Sequence, residues 1–186
     1  QLTRADIIEK LRHASYLPVI FFIFSRAGCD AAVAQCVREG ISLTTNDERD
    51  LIRETIARRT SELPTEDFGV LQFYELCQAL ERGIASHHAG LLPMFKETIE
   101  ELFQRGLLKV VFATETLALG INMPARTVLI EKLIKWNGET HAVISPGEYT
   151  QLTGRAGRRG IDTEGNAVVV WSDQIDSSMA AGLAST

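Results

Sequence analysis

Apolar positions along the chain follow two kinds of spacing. Residues 19–24, Val-Ile-Phe-Phe-Ile-Phe, form an unbroken apolar run between Pro18 and Ser25, the pattern of a strand buried on both faces of a parallel sheet. Shorter apolar runs recur at Ile84–His87, Lys109–Ala113, Thr127–Ile130 and Ala167–Trp171, and each predicts a further strand. Between them the spacing turns helical. Arg4–His13 carries Ile7, Ile8 and Leu11 on one stripe, and Ala27–Glu39 is rich in small residues and stops at Gly40, a residue suited to the left-handed helix cap. Leu92–Gln104 has Pro93 in its first turn and Gly106 after its end, where each is favoured. Pro146–Leu152 starts another helix, and Asn137-Gly138 after Trp136 signals a hairpin extending from the Thr127–Ile130 strand. Strands alternating with helices predict an α/β fold built on a parallel sheet.

Residues 44–82 differ from their surroundings. They hold nine acids against five arginines, a net charge of 5 − 9 = −4. Leu51, Ile52, Thr55 and Ile56 define one helical face; Leu71, Tyr74, Leu76, Cys77 and Leu80 define another beyond the Leu63-Pro64 break. The pattern predicts a helical insertion, acidic and solvated.

Length and composition narrow the function classes. A chain of 186 residues is one domain long and buries roughly 70% of its unfolded surface in a single core. With 45% apolar and 23% charged residues it is an ordinary globular sequence, and its longest apolar run is too short to cross a bilayer. No cationic start followed by an apolar stretch argues for secretion. Cys29, Cys36 and Cys77, odd in number and irregularly spaced, exclude a closed disulfide framework or a CxxC zinc site; they read as reduced thiols, which points to the cytoplasm. Lys+Arg 19 against Asp+Glu 24 gives a net −5, so a nucleic-acid site must be local rather than a property of the whole surface. Residues 126–160 supply such a region, with six basic and three acidic residues and a net +3.

Within it stands Gln151-Leu-Thr-Gly-Arg-Ala-Gly-Arg-Arg-Gly160. Its glycines allow tight turns, and Arg155 and Arg158, three apart, project from one helical face toward a common anion such as a polyphosphate. A plain basic surface would not set Gly154, Gly157 and Gly160 in register with the arginines. His87 and His88 invite a zinc reading, but neighbours in a strand point to opposite faces and no third ligand is in view. Ala89 and Gly90 with His88 precede a helix whose free N–H groups suit an anion instead. Ser25 and Arg26, after the first strand, suit the same role on the adjacent loop. Cys29 reads as a small buried residue rather than a nucleophile.

QLTGRAGRRG resembles motif VI of superfamily 2 helicases, in the form used by the Ski2-like group. Val19–Cys29 resembles motif IV, His87–Pro93 (HHAGLLP) resembles the corresponding element of that group, and Phe112–Pro124 (FATETLALGINMP) resembles motif V. Trp136-Asn-Gly and Pro146-Gly-Glu-Tyr149 fit the stretch leading into motif VI. The order and spacing hold from about residue 18 to residue 171, and the spelling resembles bacterial members. The resemblance implies a RecA-like parallel sheet flanked by helices, the second of two RecA-like motor domains, spanning residues 1–186. It implies arginine fingers at Arg155 and Arg158, contact with the nucleotide phosphates at Gln151, and coupling between ATP and strand binding at Gly120 and Asn122. It places nucleic-acid contacts at Ser25, Arg26, His88, Ala89, Gly90, Thr114 and Thr116; the two threonines would also cap the helix that follows. Arg159 reads as solvated or RNA-facing.

Hydrolysing ATP also requires a GxxxxGK[ST] loop and acids that hold Mg²⁺, and neither occurs in this sequence. In the family these lie on the first RecA-like domain, which would be the principal partner, with ATP and Mg²⁺ between the two domains. The expectation is therefore part of a longer ATP-dependent helicase, monomeric as an isolated domain and inactive without its other half, acting on a single strand of RNA more than DNA. A DNA helicase of the same group and a RecA-like binding or regulatory module without catalysis stand as alternatives. No metal site is expected on this chain, and a dinucleotide-binding oxidoreductase is excluded because no GxGxxG follows a strand.

Overall fold

A computed structural model describes residues 3–63, 69–115, 117, 123–131, 134–136, 141–143 and 145–169. The element order is α1 (Arg4–His13), β1 (Val19–Phe22), α2 (Arg26–Arg38), α3 (Asn46–Thr60), α4 (Val70–Glu81), β2 (Ile84–His87), α5 (Pro93–Gln104), β3 (Val110–Ala113), β4 (Thr127–Ile130), β5 (Ile134–Trp136), β6 (His141–Val143), α6 (Pro146–Thr153) and β7 (Asn166–Val169). Five strands form one parallel sheet in the order β2-β3-β1-β4-β7. The expected RecA-like α/β architecture is present, with the apolar run at residues 19–24 supplying the central strand. Its register sets Phe21 between Phe112 of β3 and Leu129 of β4.

Alternate residues of each strand feed two cores, which is why the strands read as continuous apolar runs. Val19, Phe21, Ile84, Val110, Phe112 and Leu129 pack under α1 and α2 through Ile8, Leu11, Cys29, Ala32 and Cys36. The Phe21 and Phe112 rings lie 5.1 Å apart. On the other face Ile20, Phe22, Ala85, Val111, Val128 and Ile130 meet Ile52, Ile56, Leu80, Ile99, Leu102 and Leu152 of α3–α6.

Helices α3 and α4 occupy the expected insertion, but it is not a solvated appendage. Ile52 and Leu80 are fully buried, Thr55 and Ile56 nearly so. Its charges are paired with residues outside the segment: Glu48 with Lys109, and Arg58 and Arg59 with Glu101 of α5. Net charge over residues 44–82 overstated solvation because the partners of Glu48, Arg58 and Arg59 lie outside the segment, while Arg53 is paired within it to Asp50 and Glu81. The apolar face expected on α4 is also rotated. Leu80 is buried and Phe73, Leu76 and Cys77 pack against the core, whereas Leu71 and Tyr74 are exposed; period 3.6 groups 73, 76, 77 and 80 and leaves 71 and 74 outside.

Strands β5 and β6 pair antiparallel as a separate two-stranded ribbon, so the hairpin is not an extension of β4; its Asn137-Gly138 turn lies outside the described residues. Capping boxes start three helices: Thr3 with Asp6, Thr45 with Glu48, and Ser145 with Glu148. Among the described residues no helix is long and apolar enough to cross a membrane.

Candidate functional site

All five strands of the main sheet run the same way, so the loops after β1, β2 and β3 meet at its carboxyl edge, where open α/β sheets place their ligands. Ser25, Arg26, His88, Ala89, Gly90 and Thr114 gather there. Ser25 caps α2, its Oγ accepting the Gly28 N–H at 3.1 Å, and Arg26 is exposed in the first turn of that helix. A Cβ on Gly90 would stand 3.6 Å from Arg26 Cδ, so the arginine stem crosses the turn that follows β2.

That turn is braced from inside. The Gly90 N–H donates to His88 Nδ1 at 3.1 Å, which leaves the ring proton on Nε2, and Nε2 donates to Asp30 Oδ1 at 2.9 Å. Ser86 Oγ donates to the same oxygen at 2.9 Å. The His88 ring is buried with both nitrogens engaged, so its role in the turn is to hold Ala89 and Gly90 in place. His87 faces the other side of the sheet: Nε2 meets Glu100 Oε1 at 2.9 Å, while its buried Nδ1 has no partner among the described residues. Burial lowers the His87 pKa below its ordinary value despite the pull of Glu100. The two histidines therefore serve two different helices, α5 and α2.

Thr114 is buried beside this turn. Its N–H reaches the His87 carbonyl at 3.4 Å and its carbonyl accepts the Leu117 N–H at 3.2 Å. Thr116, Gly120 and Asn122, the other residues expected to act in motif V, lie outside the described residues. The chain is again described from Met123, buried like Ala125.

Ala125 marks the opposite, amino edge of the sheet, two residues before β4, and the arginine segment is fastened to it. Ala125 N–H donates to the Arg155 carbonyl at 2.9 Å, and Gly157 N–H donates to the Ala125 carbonyl at 2.7 Å. Helix α6 ends at Thr153 with Gly154 as its cap, and Gly157 and Gly160 have φ of 86° and 80°. Residues 155–160 are thus a turn, not a helix continuation. The shared helical face expected from the three-residue spacing of Arg155 and Arg158 is absent, because the positive φ at Gly157 ends any helical path between them. Gln151 is exposed on α6, Arg155 is half-buried and Arg159 is exposed.

Arg158 is held most firmly. Its backbone N–H and Nε donate to Asp162 Oδ2 at 2.9 and 2.8 Å, and Nη2 donates to Oδ1 at 2.9 Å. These bonds hold the Asp162 carboxyl at a pKa of about 2, with the nearby Arg126 charge adding to the effect. Arg126 is partly buried, and its Nε has no hydrogen-bond partner among the described residues. Asp162, Arg126 and Asp30 are three site residues that the sequence reading did not single out. For Asp162 the signal was local, an acid four residues after an arginine. For Asp30 it was not, since its partners lie 56 and 58 positions away.

Residues 61–160, which carry both the turn after β2 and the arginine segment, match the family described as the helicase conserved C-terminal domain. The chain belongs to this family. It is 60% identical over 183 residues, 98% of its length, to the protein named "Probable helicase HelY" of Mycobacterium tuberculosis, covering 20% of that protein. It is 41% identical over 95% of its length to the ATP-dependent RNA helicase mtr4 of Schizosaccharomyces pombe, covering 16% of it, and 41% identical over 91% to human superkiller complex protein 2, covering 14%. The helicase C-terminal domain is thus of the Ski2-like group, and nearer to the mycobacterial proteins than to these eukaryotic ones, in keeping with the bacterial spelling of its motifs. The chain spans about a fifth of the length of the curated relatives it matches.

Proposed function

We propose that this chain is the second motor domain of a longer ATP-dependent helicase that translocates on single-stranded nucleic acid, RNA in preference to DNA. The observation that carries the reading is the placement of two differently equipped edges on one sheet. The carboxyl edge brings together Arg26, the backbone of Ala89 and Gly90, and Thr114, groups suited to a sugar-phosphate strand. The amino edge presents Arg155 and Arg158 on a glycine turn, with Gln151 on the preceding helix, groups suited to nucleotide phosphates. Thr114 stands at one edge and Ala125 at the other, eleven positions apart in the same chain.

In this reading ATP lies between this domain and a first RecA-like domain, which would also hold Mg²⁺. Guanidinium groups fit the phosphates: they are planar, permanently charged and able to make paired hydrogen bonds to the oxygens of the transferring γ-phosphoryl group. No group of three or more His, Cys, Asp or Glu side chains among the described residues is arranged to hold a metal ion. Arg155 and Arg158 would neutralise charge developing on the γ-phosphoryl oxygens, while Ala89, Gly90 and Thr114 retain the strand. Domain closure forms the complete site and hydrolysis reopens it. The RNA preference is supported by relatives whose names state RNA helicase, at 41% and 45% identity.

The test is steady-state ATPase of the full-length helicase with single-stranded RNA and DNA side by side. Arg158→Ala should reduce stimulated turnover about 10³-fold or more with nucleotide binding retained. Unchanged turnover removes the finger assignment, and equal or greater stimulation by DNA removes the RNA preference.

A further inference from the structure

Asp162 is bound into the arginine turn more tightly than a surface acid needs to be. It accepts three hydrogen bonds from Arg158, and the Ile161 and Asp162 N–H groups return to the Arg158 carbonyl at 3.1 and 2.9 Å. The turn is closed from both ends. Its side chain is 3% exposed and that of Arg158 is 23% exposed, so this is not one of the solvated pairs that contribute little and fix nothing.

The contact is also directional. A guanidinium carries five N–H donors in one plane. Asp162 takes the side formed by Nε and Nη2, using two of the five. The other three, two on Nη1 and one on Nη2, include an outer edge able to form a second two-point contact with an anion. A carboxylate on the inner side therefore does not compete with a phosphate on the outer side; it fixes the plane of the group and the direction in which the outer edge points.

From this geometry we infer that Asp162 is a positioning residue for the arginine finger: it aims the outer edge of Arg158 at the nucleotide phosphates and touches neither nucleotide nor nucleic acid. The inference rests on the reading of Arg158 as a finger, and the experiment separates the two. In the full-length helicase, RNA-stimulated ATPase is measured for Asp162→Ala, Asp162→Asn, Arg158→Ala and the Arg158→Ala, Asp162→Ala double variant. A misdirected reacting group costs up to about 100-fold in rate; Asp162→Ala should lower kcat about 10- to 100-fold with KM for ATP within about threefold, since ground-state binding is largely spared. Asp162→Asn keeps the shape and one acceptor but turns amide N–H donors toward an arginine donor, so it should melt below the parent, and its kcat should fall between the parent and Asp162→Ala; it carries the test if Asp162→Ala fails to fold. The double variant should be no slower than Arg158→Ala alone.

If Arg158→Ala turns over normally, the finger reading itself is lost. If Arg158→Ala is inactive but both Asp162 variants match the parent in kcat, only the positioning role is overturned. A rise in RNA-independent kcat in the Asp162 variants also overturns it, because the carboxylate would then be restraining Arg158 rather than aiming it.

Discussion

Three glycines of the arginine turn lack a side chain for different reasons, and alanine at each separates those reasons. At Gly160 φ is 80° and nothing lies within 4 Å of a built Cβ. Alanine there meets only the left-handed backbone penalty, about 1–2 kcal/mol. At Gly165 the obstacle is contact: a Cβ would stand 2.5 Å from the Ala156 carbonyl oxygen, 2.6 Å from its carbon and 2.7 Å from the Gly157 nitrogen. The closest gap must widen by at least 0.5 Å to reach the 3.0 Å below which real Cβ contacts essentially never occur. Every obstructing atom is backbone, so no rotamer relieves the clash. Widening pushes residues 156 and 157 off Ala125 and loosens the two hydrogen bonds, 2.9 and 2.7 Å, that fasten the turn. Overpacking at about 1–3 kcal/mol and two weakened bonds at about 1 kcal/mol each put Gly165→Ala at about 3–5 kcal/mol. For a domain of this size 1 kcal/mol moves the melting temperature about 2–4 °C. Thermal unfolding followed by circular dichroism should therefore show a loss of about 6–20 °C for Gly165→Ala and about 2–8 °C for Gly160→Ala. Gly157 has φ 86°, and a Cβ on it would stand 3.1 Å from Gly165 Cα; it combines both penalties and should lose more than Gly160. A Gly165→Ala protein as stable as Gly160→Ala would refute the packing argument.

Two further outcomes are expected. The folded-state pKa of His87 is depressed, chiefly by burial, whereas in the unfolded chain it titrates near about 6.5; the unfolded state takes up the proton first, so stability is full above that pH and is lost as pH falls through the folded value. Melting temperatures at pH 7.5 and 5.5 should show this fall, flattened in His87→Gln; an unchanged fall in His87→Gln assigns it elsewhere. Cys29 and Cys36 are fully buried, with burial raising their pKa to about 12 and about 11, and Cys77 is likewise raised to about 11. None should react quickly with iodoacetamide at neutral pH in the folded protein, as mass spectrometry would read; rapid labelling of Cys29 would revive it as a nucleophile.

The strands were legible because both their faces are buried, so Val19–Phe22 and Val110–Ala113 needed no polar alternation to interpret. Helix ends were legible where chemistry marks them, as at Pro93 and Gly106. What remained hidden depends on partners distant in sequence. The acids and arginines of residues 44–82 looked solvated until Glu101 and Lys109 were found opposite them. Asp30 carried no local sign that Ser86 and His88 would share its carboxylate. The motif residues themselves stood out by spelling, yet spacing alone misjudged how Arg155 and Arg158 are presented. Three-residue spacing implies a helix only if the backbone stays helical, and Gly157 does not.

The strand order also sets a schedule for folding. Among the described strands β1 comes earliest in the chain and is the central one, but its pairings join Val19 to Val110 and to Thr127, closing loops of 91 and 108 residues. Its ladder cannot form until most of the domain has been made, and closing loops of that length weighs more on folding rate than on final stability. The same order shows that the stretch carrying the family signature, residues 61–160, is not a folding unit. Excised alone it would lack β1, the strand between β3 and β4, as well as β7, and its remaining strands of the main sheet would be split into the β2–β3 pair and β4 alone.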